Sequence, residues 1–307
     1  TQWFANDYTS EKEILQAFSD YIAKYTHLFH YNGQGFDIPY LTKKYQAHQL
    51  PEPFTRLNSI DLFRLMRPYK SFFPCSNLKL KTVEQWLHIQ RNDTFSGKDC
   101  IELYVNFMKN KYYREEQTRE QCHRLLLLHN QDDILGTFRL CEILHYLAPL
   151  TKENIHLVYR EEANILQCTF ESSYEYISPF RYESREDGNL FSLEYSDSEC
   201  IIRLPLTKMT GYHFFPDYKN YYYLPAEDTA IHKSIAQYTD PSHRERATAK
   251  NCYTKKEGLF LSIPSLKHWK KSEIPVPLFY NRDKSSSYIQ WTSELPPGFL
   301  AKCIFTK

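Results

Sequence analysis

The chain has 307 residues, 42% of them apolar and 24% charged, enough for one large core or two ordinary ones. Its 38 Lys and Arg face 37 Asp and Glu, so no global field draws it to nucleic acid or an anionic membrane, and a histone-like binder is excluded. The longest aliphatic run, Leu125 to Leu128, falls far short of the roughly 20 residues of a membrane span. Eight singly scattered cysteines with no Cys-x-x-Cys pair point to reduced thiols in a cytoplasmic protein.

The first residues, Gln2-Trp3-Phe4, read as an extended strand. The chain opens on Thr1 rather than on a methionine, its first residues show neither the basic nor the apolar region of a signal peptide, and the start is expected to be the cut edge of a longer protein. Ser10 with Glu13 forms a capping-box pattern, and Ile14, Leu15, Phe18, Tyr21, Ile22 and Tyr25 fall at helical spacing, which predicts a helix over 9–25. Thr26 to Tyr31 reads as a buried strand running into the tight turn Asn32-Gly33-Gln34-Gly35. A second helix is predicted from about Asp37, with Pro39 in its first turn. This alternation is that of an α/β domain.

Residues 56–98 carry eight Lys and Arg against three acids, interleaved with Phe63, Tyr69, Phe72 and Phe73. The stretch suits a phosphate-contacting, base-stacking surface; a solvated face with its aromatics in the core is the other reading. A long helix is predicted over 125–146, apolar at Leu128, Leu135, Phe138, Ile143 and Leu144, and a domain boundary near 149. Beyond it, alternation at Phe191, Leu193 and Tyr195 and at Ile202, Leu204 and Leu206, with Asp187-Gly188 as a hairpin turn, indicates an antiparallel sheet. Pro225 to Asp228 and Asp240-Pro241 read as two helix starts, giving a helical insert near 226–250, and strand-like pieces follow at 259–263, 287–291 and 299–305. His232, Lys233, His243, Arg244 and Arg246 form either an anion pocket or the charged faces of a packed aromatic module.

Two segments carry candidate chemistry. In His30-Tyr31-Asn32-Gly33-Gln34-Gly35-Phe36-Asp37-Ile38-Pro39, a carboxylate stands at the first turn of a helix just beyond a strand tip, where α/β sheets bind ligands. Asp37 would face the cleft, Asn32 would pin the turn and Phe36 would offer an apolar edge to a base; a plain helix-start acid beside a core Phe is the alternative. In His129-Asn130-Gln131-Asp132-Asp133-Ile134-Leu135-Gly136, His129 and Asp133 share a helix face at i and i+4, and Gly136 leaves room for a close approach. A carboxylate on a divalent cation beside an imidazole that handles water is a workable hydrolytic pair; a surface His–Asp pair is the alternative. Asp132 turns about 100° away from Asp133.

Together these segments resemble the DEDD superfamily of 3′-to-5′ exonucleases, with the ribonuclease-H-like fold, and among its members the YprB-like branch. Asn32, Phe36 and Asp37 look like its second motif, and His129 with Asp133 like its third, where most relatives have Tyr-x-x-x-Asp. Ile60-Asp61-Leu62, the Leu78-Lys79-Leu80-Lys81-Thr82-Val83-Glu84 segment, Arg91 and Gly97 also match. The resemblance implies an exonuclease core over residues 1–148 and leaves 149–307 as a β-rich α+β accessory domain. It further implies hydrolysis of phosphodiester bonds by two Mg²⁺ or Mn²⁺ ions, with Asp37 and Asp133 as ligands and His129 on the water. Single-stranded or 3′-ended DNA or RNA would be the partner, contacted by Asn32, Phe36, Arg64 and Arg67. In such enzymes an Asp-x-Glu on the first strand supplies two more carboxylates. No such motif precedes Asn32, so the first strands are expected upstream, and a catalytically incomplete binding or scaffold module is the second reading.

Overall fold

The computed structural model describes residues 1–113, 116–151, 156–160, 164–186, 189–263 and 276–295. The chain divides into two compact units, Thr1–Leu147 and Ala148–Lys307.

In the first unit Asp7 accepts the backbone N–H groups of Thr9 and Ser10 and both their hydroxyls, forming a short 3-10 turn ahead of α1 (Glu11–Ile22). This corrects the expected capping box: the Ser10 hydroxyl is already donated to Asp7, and Ser10 makes no side-chain cap. At the other end of α1, Arg56 donates to the carbonyls of Ile22, Ala23 and Tyr25, satisfying acceptors the helix itself leaves open. Residues 2–4 form no strand. Trp3 packs edge-on against Phe18 and Tyr21, and Phe4 against Phe107, so ring contacts hold this segment in place of a ladder.

Strand β1 (His27–His30) pairs in parallel with β2 (Asn58–Asp61), from His27 opposite Asn58 to His30 opposite Asp61, with α2 (Asp37–Ala47) as the crossover. The expectation of a buried strand is not met, since no residue of β1 is fully buried. Burial alternates along β1, and Phe29 keeps 44% of its surface exposed. Leu15 of α1, Tyr45 of α2 and Phe54 form one core, joined by Phe18, Leu28, Ile38, Leu41 and Leu50. There the Tyr45 hydroxyl donates to the Leu15 carbonyl at 2.7 Å, so the buried phenol is paired.

After β2 come α3 (Leu62–Met66), α4 (Leu80–Trp86), α5 (Gly97–Tyr113), α6 (Glu116–Arg139) and α7 (Ile143–Thr151). The single helix expected over 125–146 is in fact two. It starts nine residues earlier and breaks into a 3-10 turn at Leu140–Glu142. Leu140 and Ile143 are fully buried at that break, whereas the apolar Leu135 and Phe138 are exposed.

The second unit is β-rich. Strands β3 (His156–Arg160), β4 (Ile165–Glu171), β5 (Phe180–Glu186), β6 (Asn189–Ser196) and β7 (Glu199–Pro205) form an antiparallel sheet in the order β3-β4-β7-β6-β5. Leu193, Tyr195, Ile202 and Leu204 face its core, as their period of two requires. Then come β8 (Thr207–Phe214), β9 (Tyr221–Leu224), β10 (Thr229–His232), the one-turn α8 (Lys233–Ala236), β11 (Glu245–Arg246), β12 (Tyr253–Ile263), β13 (Leu278–Tyr280) and β14 (Ser287–Gln290). A closed barrel runs β12-β14-β13-β8, and β10-β9-β11 make a small sheet.

The helical insert near 226–250 is therefore corrected. Pro225 to Asp228 is the turn of the β9–β10 hairpin, with Asp228 at φ 52°, because the aromatic Tyr221–Tyr223 run prefers a strand. Asp240-Pro241 starts only a 3-10 turn. His232 caps α8 through Ser234, and Arg244 lies over the Tyr222 ring, so the suggested anion pocket is not assembled from these two residues. The Asp187-Gly188 turn and the strand at 299–305 lie outside the described residues. All seven described cysteines are free, and no described helix is long and apolar enough to cross a membrane.

Candidate active site

The turn after β1 is held by Asp61, the last residue of β2. Its carboxylate, buried to 4% exposure, accepts the backbone N–H of Asn32 at 2.9 Å and of Gln34 at 3.3 Å. Asn32 takes a positive φ of 58°, which Asn tolerates better than most residues, and thereby bends the chain toward α2. Gly33 follows because a Cβ there would strike the His30 ring. His30 Nδ1 accepts the Gly33 N–H at 3.1 Å, and its Nε2 meets Ser59 Oγ at 2.7 Å. Asp61 stands 3.6 Å from Nδ1. This superficial Ser–His–Asp array is not a nucleophile triad: with Nδ1 accepting, the proton sits on Nε2 and is donated to Ser59, leaving His30 no lone pair with which to activate the hydroxyl.

The turn places Asp37 at the start of α2 with an exposed side chain. Desolvation against the cleft wall pushes its carboxyl above the ordinary value, opposed by its own backbone N–H and by His30, and reinforced by the negative charges of Asp133 and Asp61. Asp37 and Asp133 thus lie within electrostatic reach of each other. Phe36 beside Asp37 is 76% exposed, which removes the core reading of that ring. A cleft of about 650 Å³ opens here, lined by Tyr31, Asn32, Phe36, Asp37 and Phe63 and by the cations Arg67, Lys70 and Lys79.

The basic stretch therefore divides by role. Arg56 holds α1. Lys81 bonds Asp93 and the Phe95 carbonyl, and Arg91 is internal. Arg67, Lys70 and Lys79 line the cleft. Arg64 does not line it; its Nε stands 3.9 Å from Asp61 and its side chain is largely exposed. Tyr31 lies outside the basic, aromatic stretch, whereas Lys70, Lys79 and Phe63 belong to it.

On α6, His129 Nε2 lies 3.4 Å from Asp133 Oδ2, as the i, i+4 spacing predicts. The other imidazole nitrogen, Nδ1, is 3.2 Å from Oδ1 of the buried Asp93. Arg91 is the hub beneath them. Nη1 donates to both Glu84 oxygens at 3.0 Å, and Nη2 donates to Asp93 at 2.7 Å and Asp133 at 2.6 Å. Burial alone would raise Asp93, yet Arg91 and His129 bring it down to about 2. Burial raises Glu84 despite Arg91. A Cβ at Gly136 would overlap Glu84 Oε1, so the glycine makes the slot through which Glu84 reaches the guanidinium. Asp132 is buried and accepts the backbone N–H groups of Asn92 and Asp93 at 2.6 and 2.8 Å, which fastens the Arg91 loop to α6. Arg91, Asp93 and Glu84 are the site residues whose roles the sequence left unread.

Residues 1–145 match the family model RNase_H_2, of the RNase_H superfamily. Over these residues, a little under half of the chain, the sequence is similar to the ribonuclease H superfamily. No curated protein and no solved structure matches the chain.

Two carboxylates suit Mg²⁺ or Mn²⁺ in donor chemistry, since both ions prefer oxygen ligands. In donor number they fall short. Among the described residues no group of three or more His, Cys, Asp or Glu could hold a metal ion.

Proposed function

We propose that the first unit supplies the cleft and half the carboxylates of a metal-dependent 3′-to-5′ exonuclease of the DEDD type, YprB-like, acting on DNA or RNA. The observation that carries this reading is the position of Asp37 in a cleft it shares with the cations Arg67, Lys70 and Lys79. Asp37 and Asp133 would hold Mg²⁺ or Mn²⁺, which would supply an activated water and stabilise the leaving oxygen. His129, braced by Asp93, would orient that water. Arg67 and the two lysines would take phosphates, Asn32 would shape the turn against the strand, and Phe36 would stack on an unpaired base. Arg64 would contribute charge at the rim. A cleft of this size admits a nucleotide or two rather than a duplex, which favours a single-stranded or 3′-ended substrate. The remaining two carboxylates would come from an Asp-x-Glu strand outside the residues described. Cytoplasmic residence is part of the same proposal.

The test is substitution in a polypeptide that carries all four carboxylates. Asp37→Asn and Asp133→Asn should each abolish release of nucleotides from a labelled oligonucleotide while leaving its binding largely intact. His129→Ala should slow turnover by about 10² to 10⁴. Parental rates in both Asn variants would remove the assignment.

One observation favours a second reading, a nucleic-acid-binding or scaffold module without turnover. Asp133 is already paired with Arg91, and His129 lies between two carboxylates, Asp93 and Asp133. In that case oligonucleotide binds and no nucleotide is released with any divalent ion.

A further inference from the structure

The cations of residues 56–98 separate into those the fold uses and those it leaves open. Arg56 is committed to the carbonyls that end α1, Lys81 to Asp93, and Arg91 to Glu84, Asp93 and Asp133. Arg67, Lys70 and Lys79 are exposed, make no ion pair among the described residues, and all line the cleft beside Asp37. Asp37 is the single acid among the described lining residues, so the three cations leave two positive charges in excess. Arg67 and Lys70 belong to one 3-10 turn, Arg67–Phe72, where side chains at i and i+3 eclipse, so the pair rises from one face. Lys79 follows Leu78, whose carbonyl accepts the Tyr31 hydroxyl at 2.7 Å, which fastens the lysine's segment to the end of β1. Tyr31 in turn meets Phe63 edge-on at 5.8 Å, and the Phe36 ring, also in the lining, is largely exposed.

We propose that this cleft recognises a nucleotide through a phosphomonoester, the terminal phosphate of a strand or of a mononucleotide, and does so without a divalent ion. The inference rests on the reading of the cleft as the nucleic-acid site, and on neither metal binding nor turnover. A phosphomonoester carries close to two negative charges at neutral pH, which matches the excess in the cleft, whereas each phosphodiester link carries one. Its three terminal oxygens give separate acceptors to the planar fork of Arg67 and to the point charges of Lys70 and Lys79. The aromatic lining supplies the other half of the recognition, because a base stacked on Phe36 is held by its face whatever its identity. The cleft therefore selects a phosphorylated end over the interior of a strand and shows little preference among bases.

The test is calorimetry of the full chain in the presence of a chelator. The ligands are one single-stranded oligonucleotide with hydroxyl ends, with a 5′-phosphate or with a 3′-phosphate, a nucleoside monophosphate, and inorganic phosphate. A phosphorylated end should tighten binding about tenfold over hydroxyl ends, the combined effect of a few solvent-exposed charge pairs on one added group. Arg67→Gln and Lys79→Gln, both at exposed positions, should each cut that preference to about threefold or less. Lys98→Gln, at an exposed position of the same stretch that does not line the cleft, should leave it whole. Binding of the mononucleotide as tightly as the phosphorylated strand identifies the nucleotide itself as the ligand, and a gain confined to one end of the strand assigns its polarity; both support the proposal. Equal binding of the three strands overturns it, as does inorganic phosphate that binds as tightly as a phosphorylated strand, since the rings would then add nothing. Binding of the hydroxyl-ended strand that neither Arg67→Gln nor Lys79→Gln weakens removes the cleft as the nucleic-acid site, so the two failures are distinguishable; binding of no strand removes both.

Discussion

Asp37 and Asp93 sit near one another in function but are pushed in opposite directions by their surroundings. Desolvation against the cleft wall and, to a smaller degree, the charges of Asp133 and Asp61 favour the protonated form of Asp37. Its pKa is higher in the folded state than in the unfolded state, so stability is lost as pH rises above the ordinary carboxylate range. Asp37→Asn should therefore raise the melting temperature at neutral pH by roughly a degree or two, a gain that vanishes in acid. A lower melting temperature at neutral pH would contradict this. Asp93 is the reverse case. Held at about 2 by Arg91 and His129 against its own burial, it contributes stability that is present above the ordinary carboxylate range and is lost as pH falls toward 2. Asp93→Ala should lower unfolding free energy by about 3 kcal/mol in urea at pH 7, because it strips a buried cation of a partner. Asp37 was legible in the sequence, since two glycines, an asparagine and Pro39 mark the turn that presents it. Arg91 was not: its partners lie 7, 2 and 42 residues away, and no local pattern records a bond that tertiary packing makes.

At the scale of elements, α4 and α6 meet where Gly136 admits Glu84. Gly136→Ala should destabilise the protein by about 2 kcal/mol, because a Cβ would displace a buried carboxylate from its guanidinium. A thermal melt within a degree of the parent would show that the slot has slack. The sequence flagged Gly136 as a site of close approach without naming the approaching group, since helix periodicity gives the face and not the neighbour. The capping box failed for a related reason: Asp7, three residues upstream, competes successfully for the Ser10 hydroxyl. Strands of the second unit were readable wherever apolar residues alternate, as in β6 and β7. The β9–β10 hairpin was not, because Pro225 with two acids is also the chemistry of a helix start, and only Asp228 at φ 52° settles it as a turn.

For the molecule as a whole, a formal charge of +1 means that binding of nucleic acid must come from local cations. Replacing Arg67, Lys70 and Lys79 together by Ala should weaken binding to a single-stranded oligonucleotide. It should also lower the slope of log affinity against log salt by about 2, at roughly 0.7 per lost phosphate contact. An unchanged slope would move the binding surface away from the cleft.

The barrel of the second unit adds a consequence in time. β12 lies along β8 from Tyr253 opposite Phe214 to Phe260 opposite Thr207, then turns its last residues to β14. Closure thus waits until Ser287–Gln290 has been synthesised, whereas every partner of the Arg91 hub is complete by Gly136. Pairings between distant segments form slowly. On the ribosome the first unit should accordingly settle early, while the strands of the second remain unclosed for the remainder of translation. A nascent chain halted after residue 263 should then resist protease through its first unit and be cut within 207–263.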